Sequence, residues 1–181
     1  MCEAPYMVSR SVLIFLLACG GSGGGGGDVT PFVGVYATSS HTHAETTTQL
    51  SCTDPGQPVS SATPFFKLAV DAFFMDPDVL RVSNCSDAAG ATCNETGVSM
   101  RAGGPGLEDV SANSQTGGAT PCQLYYARAE ATLTGTTIQV EVLEKYDAPN
   151  IATSDCTAQR AEALASSTSC RRIERWAGTR Q

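Results

Sequence analysis

The segment His41-Thr42-His43-Ala44-Glu45 holds the only two histidines of the chain. Alternate residues of an extended chain point to the same side. If this stretch is extended, His41, His43 and Glu45 project together, and two imidazoles with a carboxylate form a known metal-ligand set. Such a set would suit a metal-binding protein or a metal-dependent enzyme. The competing reading is a polar hairpin connection over Ser39 to Glu45, where solvated side chains need no function. Nothing in the sequence supplies the rest of a coordination shell. A Ser-His-Asp or Cys-His enzyme would have to use one of the same histidines, and no Gly-x-Ser-x-Gly turn is present. Glu108-Asp109, Asp76 and Asp78 are paired acids in turn or loop sequence, where carboxylates are ordinarily solvated. Gly103-Gly104-Pro105-Gly106 lacks the lysine and the strand-to-helix setting of a phosphate loop. Asn84-Cys85-Ser86 and Asn94-Glu95-Thr96 match the glycosylation tripeptide, a pattern too short to carry weight alone. These residues point away from an enzyme and imply no cofactor. They point toward a domain that binds an unknown protein or small ligand.

The elements that would position them are mostly strands. Phe32 to Tyr36 is a short run of β-formers, and threonine-rich Thr46 to Cys52 is expected to pair with it as a hairpin. Asp54 to Pro64 reads as a loop. Phe65 to Met75 alternates, with Phe66, Leu68, Val70, Ala72 and Phe74 on one face. Asp76-Pro77-Asp78 reads as a turn, and Val79 to Cys85 as a strand with Leu80 and Val82 on one side. Ser86 to Thr96 is expected to be a loop, Val98 to Arg101 a short strand, and Gly103 to Pro121 a long loop. The clearest pattern is a hairpin of Leu124 to Leu133 and Thr136 to Tyr146 about Thr134-Gly135. Ile138, Val140 and Val142 would face the core with Ala127, Ala129 and Ala131. Ser154 to Ala165 switches to helical composition, with Ser154 as cap and Ala158, Ala161 and Ala165 against a sheet. Cys170 to Ala177 is a last strand carrying Ile173 and the only tryptophan, Trp176. The expected fold is mainly β: an antiparallel barrel or sandwich with one late helix before a final strand.

The chain has eight cysteines. Setting aside Cys2 and Cys19 leaves Cys52, Cys85, Cys93, Cys122, Cys156 and Cys170. An even number in a small exported domain implies a disulfide framework, and no CxxC spacing suggests zinc. Short separations favour Cys85 with Cys93 and Cys156 with Cys170, which would leave Cys52 with Cys122.

The N-terminus carries the address. Arg10 precedes the apolar run Val12 to Ala18, which is far shorter than the ~20 residues a membrane-spanning helix needs but suits the core of a signal peptide. Leu16-Leu17-Ala18-Cys19 resembles the bacterial lipobox. That resemblance implies cleavage after residue 18 and acylation of Cys19, so the membrane is a partner through the lipid. Gly20, standing where an aspartate would retain such proteins at the inner membrane, implies the outer membrane of the cell envelope. Residues 19–28 would then be a lipidated cysteine and a glycine-rich tether, in which the eight residues Gly20 to Gly27 have a reach of ~16 Å. Residues 29–181 would be one β-rich domain. The net charge of -7 argues against nucleic acid, which requires a basic footprint.

The order of many strands, a late helix and a last strand also resembles the lipocalin-like barrel. Gly34-Val35-Tyr36 would stand for that family's Gly-x-Trp, with tyrosine in place of tryptophan. The resemblance implies that a late arginine, Arg171, Arg172 or Arg175, packs over the first-strand aromatic. It further implies a carrier of a small apolar ligand, with Phe66, Leu68, Val70, Val140 and Val142 lining its cavity.

Overall fold

A computed structural model describes residues 28–71, 76–103, 106–117, 120–146, 154, 156–167 and 169–181. A 3-10 turn at Thr30–Phe32 leads into strand β1, Gly34–Leu50. There follow β2 (Gln57–Pro58), β3 (Phe65–Asp71), β4 (Asp76–Cys85), β5 (Cys93–Gly103), β6 (Gly106–Gly117), β7 (Thr120–Thr134) and β8 (Thr137–Tyr146). Helix α1 (Ala158–Ser167) precedes the last strand, β9 (Cys170–Arg180). All are antiparallel neighbours in one sheet, in the order β2-β1-β3-β4-β5-β6-β7-β8-β9. β9 also pairs with β1, so the strands other than the short β2 follow one another round a curled, barrel-like sheet. This meets the expectation of a mainly β fold with a late helix, and the curled sheet takes a half-barrel form, nearer the expected barrel than the sandwich.

The hairpin about Gly135 forms as its alternation demands. Gly135 takes φ +60°, and Ala131 faces Val140 while Ala129 faces Val142. Ile138, Val140, Val142 and Ala131 are buried. They meet Phe66, Leu68, Leu80, Val82, Met100 and Trp176 in one core. Each such fully buried large side chain contributes about 1.5–3 kcal/mol. One end of the barrel is plugged by the entering chain. Val29 and Phe32 join the core, and the Tyr36 hydroxyl donates to the Phe32 carbonyl at 2.7 Å. Tyr36 stacks on Phe66 with ring centroids 5.4 Å apart. Gly178 lies beneath this stack, where an added Cβ would stand 2.6 Å from both the Ala37 carbonyl oxygen and the Phe66 ring.

Several expectations are corrected. Ser39 to Glu45 is no connection, and Thr46 to Leu50 is no separate strand: both belong to β1, because β9 supplies a hydrogen-bonding partner along this polar stretch. Gly103 to Pro121 is mostly strand, since β6 pairs with β7 from Leu107 to Gly117; its polar residues need a ladder, not a core, to be extended. Asp76-Pro77-Asp78 opens β4 instead of forming a turn. Val70 is 45% exposed, whereas Phe66 and Leu68 of the same strand are buried. Ala72 and Phe74 lie outside the described residues. The cap of α1 is Thr157, whose hydroxyl accepts from the Arg160 amide at 3.2 Å, and not Ser154. Ala161 and Leu164 pack on Leu124 on the outer face of the sheet, while Ala165 is exposed.

The disulfide expectation holds for Cys85–Cys93, which closes the β4–β5 hairpin, and is corrected for Cys52 and Cys170, which pair with each other. β1 and β9 lie side by side, with Leu50 opposite Cys170, so Cys52 is delivered to Cys170 by the ladder itself. Cys156 is also disulfide-bonded, and Cys122, the remaining cysteine of the folded part, has a side chain outside the described set. Cys52–Cys170 closes 118 residues of chain, which removes about 4–5 kcal/mol of unfolded-state entropy in the loop-closure model. Peptide mapping of the mature protein is expected to find Cys52–Cys170, Cys85–Cys93 and Cys122–Cys156. A Cys52→Ala/Cys170→Ala double variant should unfold at clearly lower denaturant by Trp176 fluorescence. An unchanged midpoint would show that the bond constrains nothing the ladder does not already hold.

Candidate functional site

The two faces of the β1–β9–β8 wall carry the chemistry. β1 bulges at Ser39: Thr38 stands opposite Gly178, and Ser40 opposite Ala177. One extra residue on one strand reverses which residues face inward. Tyr36 faces the interior before the bulge; His41, His43 and Glu45 face it afterwards, opposite Trp176, Glu174 and Arg172. On the far side of β9, Val142 and Glu144 stand opposite Glu174 and Arg172. The shared projection of His41, His43 and Glu45 expected from their spacing is therefore present, but in a strand wall instead of a loop.

At this end the interior is polar. His41 is buried, stacked on Trp176 at 4.8 Å, and its Nε2–H donates to Glu174 Oε1 at 2.9 Å. The other oxygen of Glu174 accepts from Arg172 at 2.6 Å, and Arg172 also reaches Glu144 at 2.9 Å. His43 lies 3.4 Å from Glu45 and 4.0 Å from Glu174. Exposure rises outward, from 6% at the His41 side chain to 67% at Glu45. Trp176 Nε1 donates to Asn84 Oδ1 at 3.2 Å, which turns the side chain of the first glycosylation-like tripeptide toward the core.

Charges set against burial explain the titration behaviour. Burial pushes the Glu174 carboxyl up, but hydrogen bonds from His41 and Arg172 and the charge of Arg172 outweigh it, and the net shift is downward. For Arg172 burial works against the charged form, and Glu144 and Glu174 overcome it, so its pKa is raised. Tyr125, hydrogen-bonded to Glu144, is pushed up to about 12 by burial first and by the Glu144 charge second.

Most of this constellation is paired within itself; the exception is the buried Nε of Arg172, which has no hydrogen-bond partner. Glu174, which accepts from His41, and Glu144 are both held by the positive charge of Arg172. Among the described residues no group of three histidine, cysteine or acidic side chains is placed to hold a metal ion. The alternation Arg172-x-Glu174-x-Trp176 was the signal that could have placed the partners, once β9 was known to lie beside β1.

On the outer face of the same strands lies a groove of about 570 Å³. Its floor is two rows of cross-strand neighbours. Thr132, Gln139, Ala177 and Ser40 form one; Glu130, Glu141, Arg175 and Thr42 form the other. Thr53 and Pro55 wall it from the segment that follows β1. This strap is tied down by the Cys52–Cys170 disulfide and by Arg175, which donates to the Asp54 and Cys52 carbonyls. Gly56, at φ +72°, brings the strap onto the His43 backbone so closely that an added Cβ would stand 3.1–3.2 Å from it. No signal in the sequence marked these residues as a group.

The remaining candidates fall elsewhere. Cys19 lies outside the described residues, as do Gly104 and Pro105, and the side chains of Asp76, Glu108 and Asp109 are likewise not described. The arginine over the first-strand aromatic is Arg180, not Arg171, Arg172 or Arg175: its guanidinium lies 5.5 Å from the Tyr36 ring centroid and donates to the Tyr36 hydroxyl at 2.9 Å. Arg172 and Arg175 sit farther along β9, opposite Glu45 and Thr42, and so cannot reach Tyr36.

Two pH experiments follow. A carboxylate whose folded pKa lies below its unfolded value of about 4.3 stabilises the fold above that value, and the stabilisation is lost as pH falls through the folded pKa. Wild-type stability is expected to decline as pH falls below about 4.3, and Glu174→Gln, less stable at pH 7, should decline less. Parallel curves for the two proteins would remove Glu174 from this role. In ultraviolet titration of the mature protein Tyr125 should ionise only near pH 12, and Tyr125→Phe should delete that phase.

Comparison with protein-family models, with curated proteins and with solved structures finds no match.

Proposed function

We propose that this chain is a lipid-anchored lipoprotein of the bacterial envelope whose folded domain is a non-enzymatic binding module. The Leu16-Leu17-Ala18-Cys19 pattern, the apolar run before it and the glycine leash after it support the anchor. The disulfides support an extracytoplasmic address, because such bonds persist in oxidising compartments. Gly20 after the lipidated cysteine favours the outer membrane.

The observation that carries the binding role is the outer groove. Its 570 Å³ falls within the ~300–1,000 Å³ usual for ligand sites. One wall is fixed covalently, so the shape exists before any ligand arrives, and preorganisation lowers the cost of binding. The interior offers less. The cavity between Val98, Ala129, Val142 and Glu144 measures about 160 Å³, below that range. Arg180 on Tyr36 favours a lipocalin-like carrier, but Phe66, Leu68, Val140 and Val142 are spent in the packed core.

Cys19→Ser is expected to abolish incorporation of labelled palmitate and to shift the protein from the outer-membrane to the soluble fraction. Wild-type protein should lack residues 1–18. Labelling of the variant, or retention of those residues in the wild type, would overturn the anchor.

A further inference from the structure

We infer that the outer groove takes a neutral, hydroxyl-rich chain, an oligosaccharide segment, laid across β7, β8, β9 and β1. The inference rests on the reading of this groove as the binding surface and names its ligand class.

Charge comes first. Glu130 and Glu141 stand directly opposite each other on β7 and β8, an arrangement that destabilises a sheet when unrelieved. Each has its own guanidinium: Arg128 lies 2.7 Å from Glu130, and Arg175 2.5 Å from Glu141. Counted with Arg128, which stands outside the lining, the two carboxylates are balanced, so the floor offers no strong net attraction to an anion or a cation. Hydrogen-bonding capacity comes second. The hydroxyls of Ser40, Thr42, Thr53 and Thr132 each donate and accept, the Gln139 amide does both from fixed positions, and the carboxylates keep lone pairs beyond those their arginines use. A ligand complementary to such a lining must itself donate and accept at closely spaced points, as vicinal hydroxyls do. The apolar side chains on the lining are small or compact: Ala177 and Pro55. Val140 and Trp176 border the groove, but their side chains belong to the core on the other face. An apolar ligand would therefore find little to bury against.

Length comes third. Four adjacent strands span roughly 14 Å at the usual ~4.8 Å spacing, longer than one sugar ring, and this favours a chain over a free monosaccharide. The Glu141–Arg175 pair, held in place by the hydrogen bonds of Arg175 to the strap, can meet neighbouring hydroxyls with little side-chain reordering, which limits the entropic cost.

The test uses the mature protein with its disulfides intact, isotopically labelled and followed by amide NMR. Cellohexaose, maltohexaose and chitohexaose are titrated to millimolar concentration, with glucose as comparison. At least one hexasaccharide is expected to perturb amides of residues 130–132, 139–141 and 175–177 together with Thr42 and Thr53, and glucose to do so at least tenfold more weakly. Gln139→Ala and Thr132→Val, both at exposed positions, should each weaken the response severalfold while leaving the rest of the spectrum in place. No perturbation by any of the three chains, or an equal response to glucose, overturns the inference. If a charged oligosaccharide or a peptide perturbs the same amides while the neutral chains do not, the ligand class is wrong and the groove reading stands. If every response maps to the His43–Glu45 end of the interior, the groove reading itself falls.

Discussion

The seam between β1 and β9 is the constraint on which the rest of the molecule depends. It returns the last strand to the first and so turns a meander into a curled, continuous sheet. Both ends are secured by other means. At one end Cys52 is bonded to Cys170, and at the other Arg180 spans Tyr36 and the Pro31 carbonyl. Between them the bulge at Ser39 reverses the facing of β1, so that Tyr36 and His41 both turn inward although an even number of residues lies between them. Without that extra residue, His41 and His43 would point to solvent, and Ser40 and Thr42 would be driven into the core.

The polar network at the seam bears on register more than on chemistry. Partly buried charges are expensive, and removing one partner of such a pair costs more than the pair contributes. Glu174 is held by His41 and Arg172, and Arg172 in turn by Glu144. A slip of one residue would move all of them to the opposite face. That face is already occupied: Ile173 is buried there, and Arg175 is engaged with Glu141 and the strap. The network and the groove floor thus specify the same alignment from opposite sides of one wall.

This wall also gives the proposed binding role its physical argument. The groove is floored by residues whose neighbours in sequence are core residues: Gln139 and Glu141 flank Val140, and Arg175 and Ala177 flank Trp176. Its side chains therefore stand on strands whose other face is core, and its strap is held by a covalent bond and by guanidinium-to-carbonyl hydrogen bonds.

By itself the sequence determined whatever depends on local pattern. The alternation of Ile138, Val140 and Val142 against Ala129 and Ala131 defines a hairpin at Gly135, because a period of two with a turn residue has one economical solution. Leu80 and Val82, the helical composition before the last strand, the short Cys85–Cys93 closure and the common facing of His41, His43 and Glu45 were legible for the same reason. Tertiary structure decided what depends on neighbours distant in sequence. Polar stretches such as Ser39–Glu45 and Gly106–Gly117 became strands because partner strands supplied hydrogen bonds, which hydrophobic periodicity does not record. The pairing of Cys52 with Cys170, the choice of Arg180 over the earlier arginines, the meeting of Glu174 with His41, and the groove on the outer face all follow from one event: β9 docks on β1 past a bulge. Only the closed sheet contains the physical reason for that register.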